Sequence, residues 1–338
     1  MKIRLTSLFL ATVIAISATG CSIKDSSKFE SMTESGYEQV IDQNDLQSRM
    51  INFIEVIENS DMGIDLSSFY NNAKTLQIIM DQEKDIHYTS FYDKDKNIIV
   101  VNINETGAFE HELVHVIFNN GKELGNVFLE EGFTELLTNE VCGSPSSYRF
   151  NVGVCKIFTT LLGRDKMIEV FNNKDLSIIT EGLAGIVPKV SDAAEFMEYA
   201  NYEHSLCNKM HETYFTEGSF DEFKNSNEFT SLKNVRRDLV GRLKIYIKSY
   251  YSDLVRQDGI DVEKTLMEML AMLDVVNKDL FDIDIESEPQ NDFFLKEEVS
   301  YLVNTYGIDD STYDKCYQES KSMNYLFVSD GTTKVKEK

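Results

Sequence analysis

Apolar residues are spaced differently in different parts of the chain. Residues 5–18 form an apolar run with no charged side chain, preceded by Lys2 and Arg4. The run is too short for a typical membrane span and predicts a leader over residues 1–20 that is not part of the fold. Residues 22–45 are polar, with Ser, Lys, Asp and Glu dominant, and predict a tether. After this the pattern is that of a folded chain. Residues 86–92 and 98–103 are β-rich runs around Asp93-Lys94-Asp95-Lys96-Asn97, which predicts a hairpin loop. The period then changes. Phe109, Leu113, Val116 and Ile117 recur at i, i+4, i+7 and i+8, an apolar stripe at helical spacing. Thr106 is the expected N-cap of this helix, and Asn119-Asn120-Gly121 its stop. Leu129, Phe133, Leu136 and Leu137 mark a second helix. Downstream, Phe196, Tyr199, Cys207, Met210 and Tyr214 share one long candidate helix, with others over 236–256, 262–280 and 293–304. The three prolines, Pro145, Pro188 and Pro289, fall near element boundaries, and a domain boundary is expected near 188–191. The expected fold class is α+β, mainly α: a small sheet and the helices that follow it within 46–190, then a helical part over 191–330.

The first of these helices carries His111-Glu112-Leu113-Val114-His115, an HExxH motif. Residues four apart share a helix face, so both imidazoles can reach one metal ion. Glu112 lies about 100° around the helix from His111, where a carboxylate can serve as general base. In a chain with five histidines a chance match to this pattern is rare. The motif predicts one Zn2+ per chain held by His111 and His115.

A catalytic zinc usually takes three protein ligands. The second helix offers Glu131 and Glu135, four apart and off its apolar stripe. One can bind the metal while the other accepts the free N–H of a ligating histidine, which fixes the tautomer and raises ligand basicity. The bland alternative is a solvated acidic face. HExxH followed by Glu131-Gly132-Phe133 resembles the gluzincin metallopeptidases, the superfamily of thermolysin and aminopeptidase N. The resemblance covers roughly residues 85–185, including Leu162-Gly163-Arg164-Asp165-Lys166. It implies a zincin-like fold, Glu131 as third ligand and Glu135 as the acidic residue behind the ligands. Fifteen residues separate His115 from Glu131, against roughly eighteen or nineteen usual in the group. Glu135 would restore nineteen, and Glu130 is a further candidate.

Peptide hydrolysis also needs a donor for the developing oxyanion. By the same resemblance a Tyr or His from the C-terminal part supplies it. Tyr199, Tyr202, His204, His211 and Tyr214 cluster in one segment, with Ala200, His204, Cys207 and His211 on one stripe. His204 and His211 are the candidates, with packing or exposed histidines as the alternative. His87, in a candidate strand, reads as structural. The strand beside the HExxH helix offers an edge on which an extended peptide can lie.

Charge narrows the partners. The formal net charge is −24, which excludes non-specific nucleic-acid binding and repels anionic lipid headgroups. The one basic cluster, Arg236, Arg237, Arg242, Lys244 and Lys248, reads as a solvated helix face. Ala18-Thr19-Gly20-Cys21 resembles a bacterial lipobox, which implies cleavage before Cys21, lipidation of that cysteine, and a protein anchored on the extracytoplasmic side of the membrane. Cys142, Cys155, Cys207 and Cys316 form no metal or redox motif. They allow three pairings, of which Cys142–Cys155 is closest in sequence, or they stay buried free thiols. The expected function is a lipid-anchored zinc metallopeptidase acting on peptides or proteins. The alternative is a zincin-fold envelope lipoprotein that binds metal or partners without peptidase activity.

Overall fold

A computed structural model describes residues 43–60, 62–81, 90–102, 107–142, 148–186, 190–210 and 225–254, together with 222, 269, 273, 279–280, 283–284 and 315. The leader, Cys21 and nearly all of the expected tether lie outside the described residues. The described part is mainly helical with a three-stranded sheet, an α+β arrangement dominated by helix. None of its helices is long and apolar enough to cross a membrane. The chain divides into two compact units, residues 1–122 and 123–338. The boundary expected near 188–191 adjoins residues 187–189, which are not described.

The first unit opens with α1 (Gln43–Glu58), which begins inside the stretch read as tether, and a short α2 (Ser67–Asn72). Leu46, Met50, Phe53, Ile54 and Ile57 are buried along α1 at helical spacing. The sheet follows, with β1 (Gln77–Asp81), β2 (Phe91–Asp93) and β3 (Ile98–Asn102). The predicted hairpin is present: β2 pairs antiparallel with β3, and Asn97 takes the left-handed conformation that its turn requires (φ 54°). The first predicted strand is described only at its end, because residues 82–89 are not described. Strand β1 was not anticipated. It pairs parallel with β3, giving the order β1-β3-β2. Among the described residues the strand beside the HExxH helix is therefore central, with β1 and β2 outside it. Ile99 and Val101 of β3 are buried while Val100 is half-exposed, the alternation of a sheet with one covered face. Helix α3 (Ala108–Ile117) packs against β3 and against α1 and α2.

The second unit is a stack of helices: α4 (Val127–Cys142), α5 (Arg149–Leu162), α6 (Arg164–Asn173), α7 (Ser177–Ile186), α8 (Val190–Met210) and α9 (Asn227–Leu254). Helix α4 lies on α5 and α8, and α8 lies on α7 and α9. A chain of aromatic rings, Phe158 to Phe196 to Tyr246 at centroid distances of 5.2 and 5.8 Å, joins α5, α8 and α9 through the core. Two sequence expectations change here. Cys142 is exposed and Cys155 is buried, and the two are not joined, so the pair closest in sequence forms no disulfide. Cys155 instead directs its S–H at the Leu129 carbonyl at 3.8 Å. Arg236 does not belong to a solvated face: it is buried and paired with Glu203. Of the later predicted helices, 262–280 is described only at Met269 and Leu273, both helical and buried, and at Asp279–Leu280, which pairs with Ile283–Asp284. The stretch 293–304 lies outside the described residues.

Candidate metal centre

Helix α3 starts where the backbone reverses at Gly107 (φ 82°), a left-handed conformation that glycine adopts without strain. The cap residue is therefore Gly107 rather than Thr106, which is not described, and among the described residues no side chain caps the helix start. Its carbonyl accepts from the His111 amide at 3.0 Å, which begins the helical ladder at the first motif residue. Two side chains from other elements pin the helix. Arg49 on α1 grips Glu110 through both oxygens, at 2.7 and 2.5 Å, with its guanidinium 5.5 Å from the Phe109 ring. At the far end, the Asn72 amide donates to the carbonyls of Val116 and Asn119 at 3.2 and 2.7 Å, which satisfies acceptors that the helix terminus leaves free.

The apolar stripe is buried as its spacing predicts, and the motif's polar residues are buried with it. Glu112 is 5% exposed and His111 7%, while His115 is half-buried. The two imidazoles meet edge to face with centroids 5.0 Å apart.

Helix α4 is built differently. Asn126 caps it: its Oδ1 accepts from the Leu129 amide at 3.0 Å and its Nδ2 donates to the Met197 carbonyl at 2.9 Å. Gly132 has a packing reason. A Cβ there would lie 2.7 Å from the Asn151 carbonyl oxygen, so only glycine lets α4 and α5 approach this closely. Phe133 stacks on Phe171 at 3.9 Å with nearly parallel rings. Glu130 is taken by Lys174 at 2.5 Å, the lysine side chain being almost wholly buried, so this carboxylate is committed elsewhere. Glu131 is half-buried, and Glu135 is buried one turn later. Asn139, a further turn on, is also buried, and its Oδ1 has no hydrogen-bond partner among the described residues.

His111, His115 and Glu131 each bring one ligand atom into a group whose members all lie within 4.8 Å of one another. Donors on a tetrahedral zinc at about 2.0–2.2 Å sit roughly 3.3–3.6 Å apart. Two imidazoles and a carboxylate, partly shielded from water, are also the donor chemistry that suits zinc. The three residues could therefore hold a metal ion.

His204 on α8 is buried. Its Nε2 lies 3.0 Å from the Asn208 amide nitrogen, and its ring runs beside Tyr148 with centroids 6.4 Å apart. Burial pulls its pKa down, opposed by the negative charges of Glu131 and then Glu203. His204 thus feels the carboxylate of the proposed third ligand. His211 and His87 lie outside the described residues.

Sequence reasoning missed Arg49, Asn72 and Lys174, the side chains that hold or commit the neighbours of the motif residues. It also missed the Glu203–Arg236 pair. Only a buried glutamate next to a candidate histidine could have hinted at that pair. Comparison with models of protein families, with curated proteins and with solved structures finds no match.

Proposed function

We propose that this chain is a zinc-dependent metallopeptidase of the gluzincin kind, with a zincin-like fold, held on the outer side of a membrane by a lipid on Cys21. The observation that carries the reading is the convergence of His111, His115 and Glu131 around an HExxH helix whose Glu112 is buried beside them in sequence. His111, His115 and Glu131 would hold the ion, and Glu135, one turn on from Glu131, would accept the free N–H of a ligating imidazole. When bound, zinc supplies Lewis-acid polarisation of a scissile carbonyl and lowers the pKa of water.

The chain's own residues supply the rest. Glu112 accepts a proton from the attacking water and returns it to the departing amine, which is general base and then general acid catalysis by one carboxylate. His204 donates a hydrogen bond to the oxyanion as the carbonyl carbon becomes tetrahedral. An extended peptide would add to an outer strand of the described sheet, β1 or β2, rather than to the central β3.

Metal analysis of the purified full chain, with a peptide-library digest, tests this reading. The wild type is expected to carry one zinc per chain and to cleave peptides. Glu112→Gln should keep the zinc and lose turnover by on the order of 10²–10⁴. His111→Ala should lose most of the metal, and Glu131→Gln should lose more than Glu135→Gln. Full zinc in His111→Ala removes the metal centre. Stoichiometric zinc with no peptide cleavage by the wild type removes the peptidase and leaves a metal-binding scaffold. A diacyl- or triacyl-cysteine at position 21, read by mass spectrometry of the mature N-terminus, supports the anchor, and an unmodified N-terminus elsewhere rejects it.

A further inference from the structure

The helix that carries His204 also carries a buried charge for which the proposed reaction has no direct use. Glu203 is 0% exposed. Its Oε1 accepts from Arg236 Nε at 2.5 Å and faces Cys207 Sγ at 3.1 Å. Arg236, on α9, also reaches Cys207 Sγ with Nη2 at 3.5 Å, and its guanidinium lies 4.4 Å from the Phe150 ring. Phe150 in turn meets Phe128 of α4 edge to face at 5.8 Å. Two i,i+4 pairs thus run side by side along α8: Glu203 with Cys207, clamped by Arg236, and His204 with Asn208.

This is an expensive way to join two helices. Glu203 Oε2 has no hydrogen-bond partner among the described residues, and a half-satisfied buried carboxylate costs free energy. A well-packed apolar pair of similar volume would hold α8 to α9 at least as well. A guanidinium that spans a carboxylate and a thiol one turn apart on a neighbouring helix does something that an apolar contact does not: it fixes the rotation of that helix about its own axis. The next residue on that helix is His204.

We propose that Glu203 and Arg236 are positioning residues for His204. By fixing the rotation of α8 they set the direction in which His204 points, while Asn208, on the same helix, donates its amide N–H to Nε2, so that His204 carries its hydrogen on Nδ1 and presents that N–H as the oxyanion donor. The inference rests on the peptidase reading for its purpose but not for its test. Cys207 belongs to the clamp: burial pushes its pKa well up, so it stays a thiol and gives Glu203 a donor.

The experiment uses the zinc-loaded full chain with 15N-labelled histidine. Five histidines give a sparse spectrum, and His204→Asn identifies the ring in question. In the wild type the His204 nitrogens should show a protonated Nδ1 and a bare Nε2. The double variant Glu203→Leu, Arg236→Met removes both charges and keeps apolar volume. It should keep its zinc and its cooperative unfolding, yet show His204 ring-nitrogen shifts moved from their wild-type values and a kcat about tenfold lower with KM little changed. Arg236→Lys keeps the charge and loses the fork, and should give an intermediate shift. The proposal is overturned if the wild-type hydrogen sits on Nε2, or if the folded double variant and Arg236→Lys both leave the His204 shifts unchanged. Absence of cleavage by every form, wild type included, would defeat the peptidase reading while the ring-nitrogen result still decides the positioning role.

Discussion

Helices α3 and α4 each bury most of their circumference, and each contributes to the candidate metal group, but they are held by different means. Helix α3 is short, begins at a glycine with no capping side chain among the described residues, and is tied at its two ends by Arg49 and Asn72 from other elements. Helix α4 is longer and has its own cap in Asn126. It is fixed along its length by close approach to α5 at Gly132 and by the Phe133–Phe171 stack. The contrast follows from size. Ten residues cannot bury enough surface to set their own orientation, so polar clamps do it. Sixteen residues can rely on interdigitated packing. A histidine pair on one short helix needs only that helix to be aimed, whereas a ligand on a long helix needs that helix to be seated at the right depth.

The contrast is broken most severely at Gly132. In an unconstrained helix Gly→Ala stabilises by roughly 1 kcal/mol. Here the new Cβ would stand 2.7 Å from a backbone oxygen and 2.8 Å from a backbone carbon of Asn151, which cannot rotate out of the way as a side chain can. The expected result of Gly132→Ala is a net loss of about 2–4 kcal/mol, as overpacking of a tight contact costs more than the propensity gain. Denaturant unfolding of the full chain measures it. A stabilised variant would show that α4 is not seated by close approach at all.

The matching test on α3 is Arg49→Ala. It leaves the Glu110 carboxylate, buried beside His111, without its fork. Hydrogen bonds between charged groups contribute about 1.5–3 kcal/mol, and the partial exposure of Arg49 puts the expected loss at the low end, about 1–2 kcal/mol. Zinc affinity should fall with it, since the freed helix no longer holds His111 and His115 at one angle. Glu110→Gln, which can still accept from Arg49, should cost less. Zinc affinity equal to wild type in Arg49→Ala would mean that the sheet alone aims the helix.

Both helices were legible as helices, because each repeats apolar residues at a 3.6 period, and the HExxH register placed His111 and His115 on one face. The hairpin was legible from its turn residues. The clamps were not, because Arg49 and Asn72 lie 61 and 44 residues from the groups they hold, and nothing local distinguishes them from exposed polar residues. Strand β1 was missed for a similar reason: Gln77–Asp81 has little alternation of its own and is a strand because β3 pairs with it. Gly132 was noticed as part of a motif, but its cause, the backbone of Asn151, exists only in three dimensions. Arg236 was misread because charge on a helical pattern usually faces water, and only Glu203 at the right height on a neighbouring helix reverses that.

The smallest effect, and the sharpest probe of how α4 is fixed, lies at its C-terminal end. Glu140 pairs with Arg164 at 2.9 Å, and burial nonetheless pushes its pKa up to about 7, with Arg164 and Lys156 opposing the shift. Burial also pulls Lys156 down to about 8, opposed by Glu140. The signs follow from proton counts. Between the ordinary carboxyl value near 4.5 and about 7, the folded chain holds a proton on Glu140 that the unfolded chain has lost, so this group's contribution to stability falls as pH rises through that window. Between about 8 and the ordinary lysine value of 10.5, the unfolded chain holds the extra proton, so the contribution of Lys156 rises with pH there. The pair titrates as one system and is least favourable between about 7 and 8. Glu140→Gln removes the lower slope. Denaturant midpoints of wild type and Glu140→Gln, compared at pH 5 and pH 8, should therefore differ by an amount that shifts in favour of the variant at the higher pH. A difference that does not change with pH would mean that Glu140 ionises as an ordinary carboxylate and that this end of α4 is solvated rather than packed.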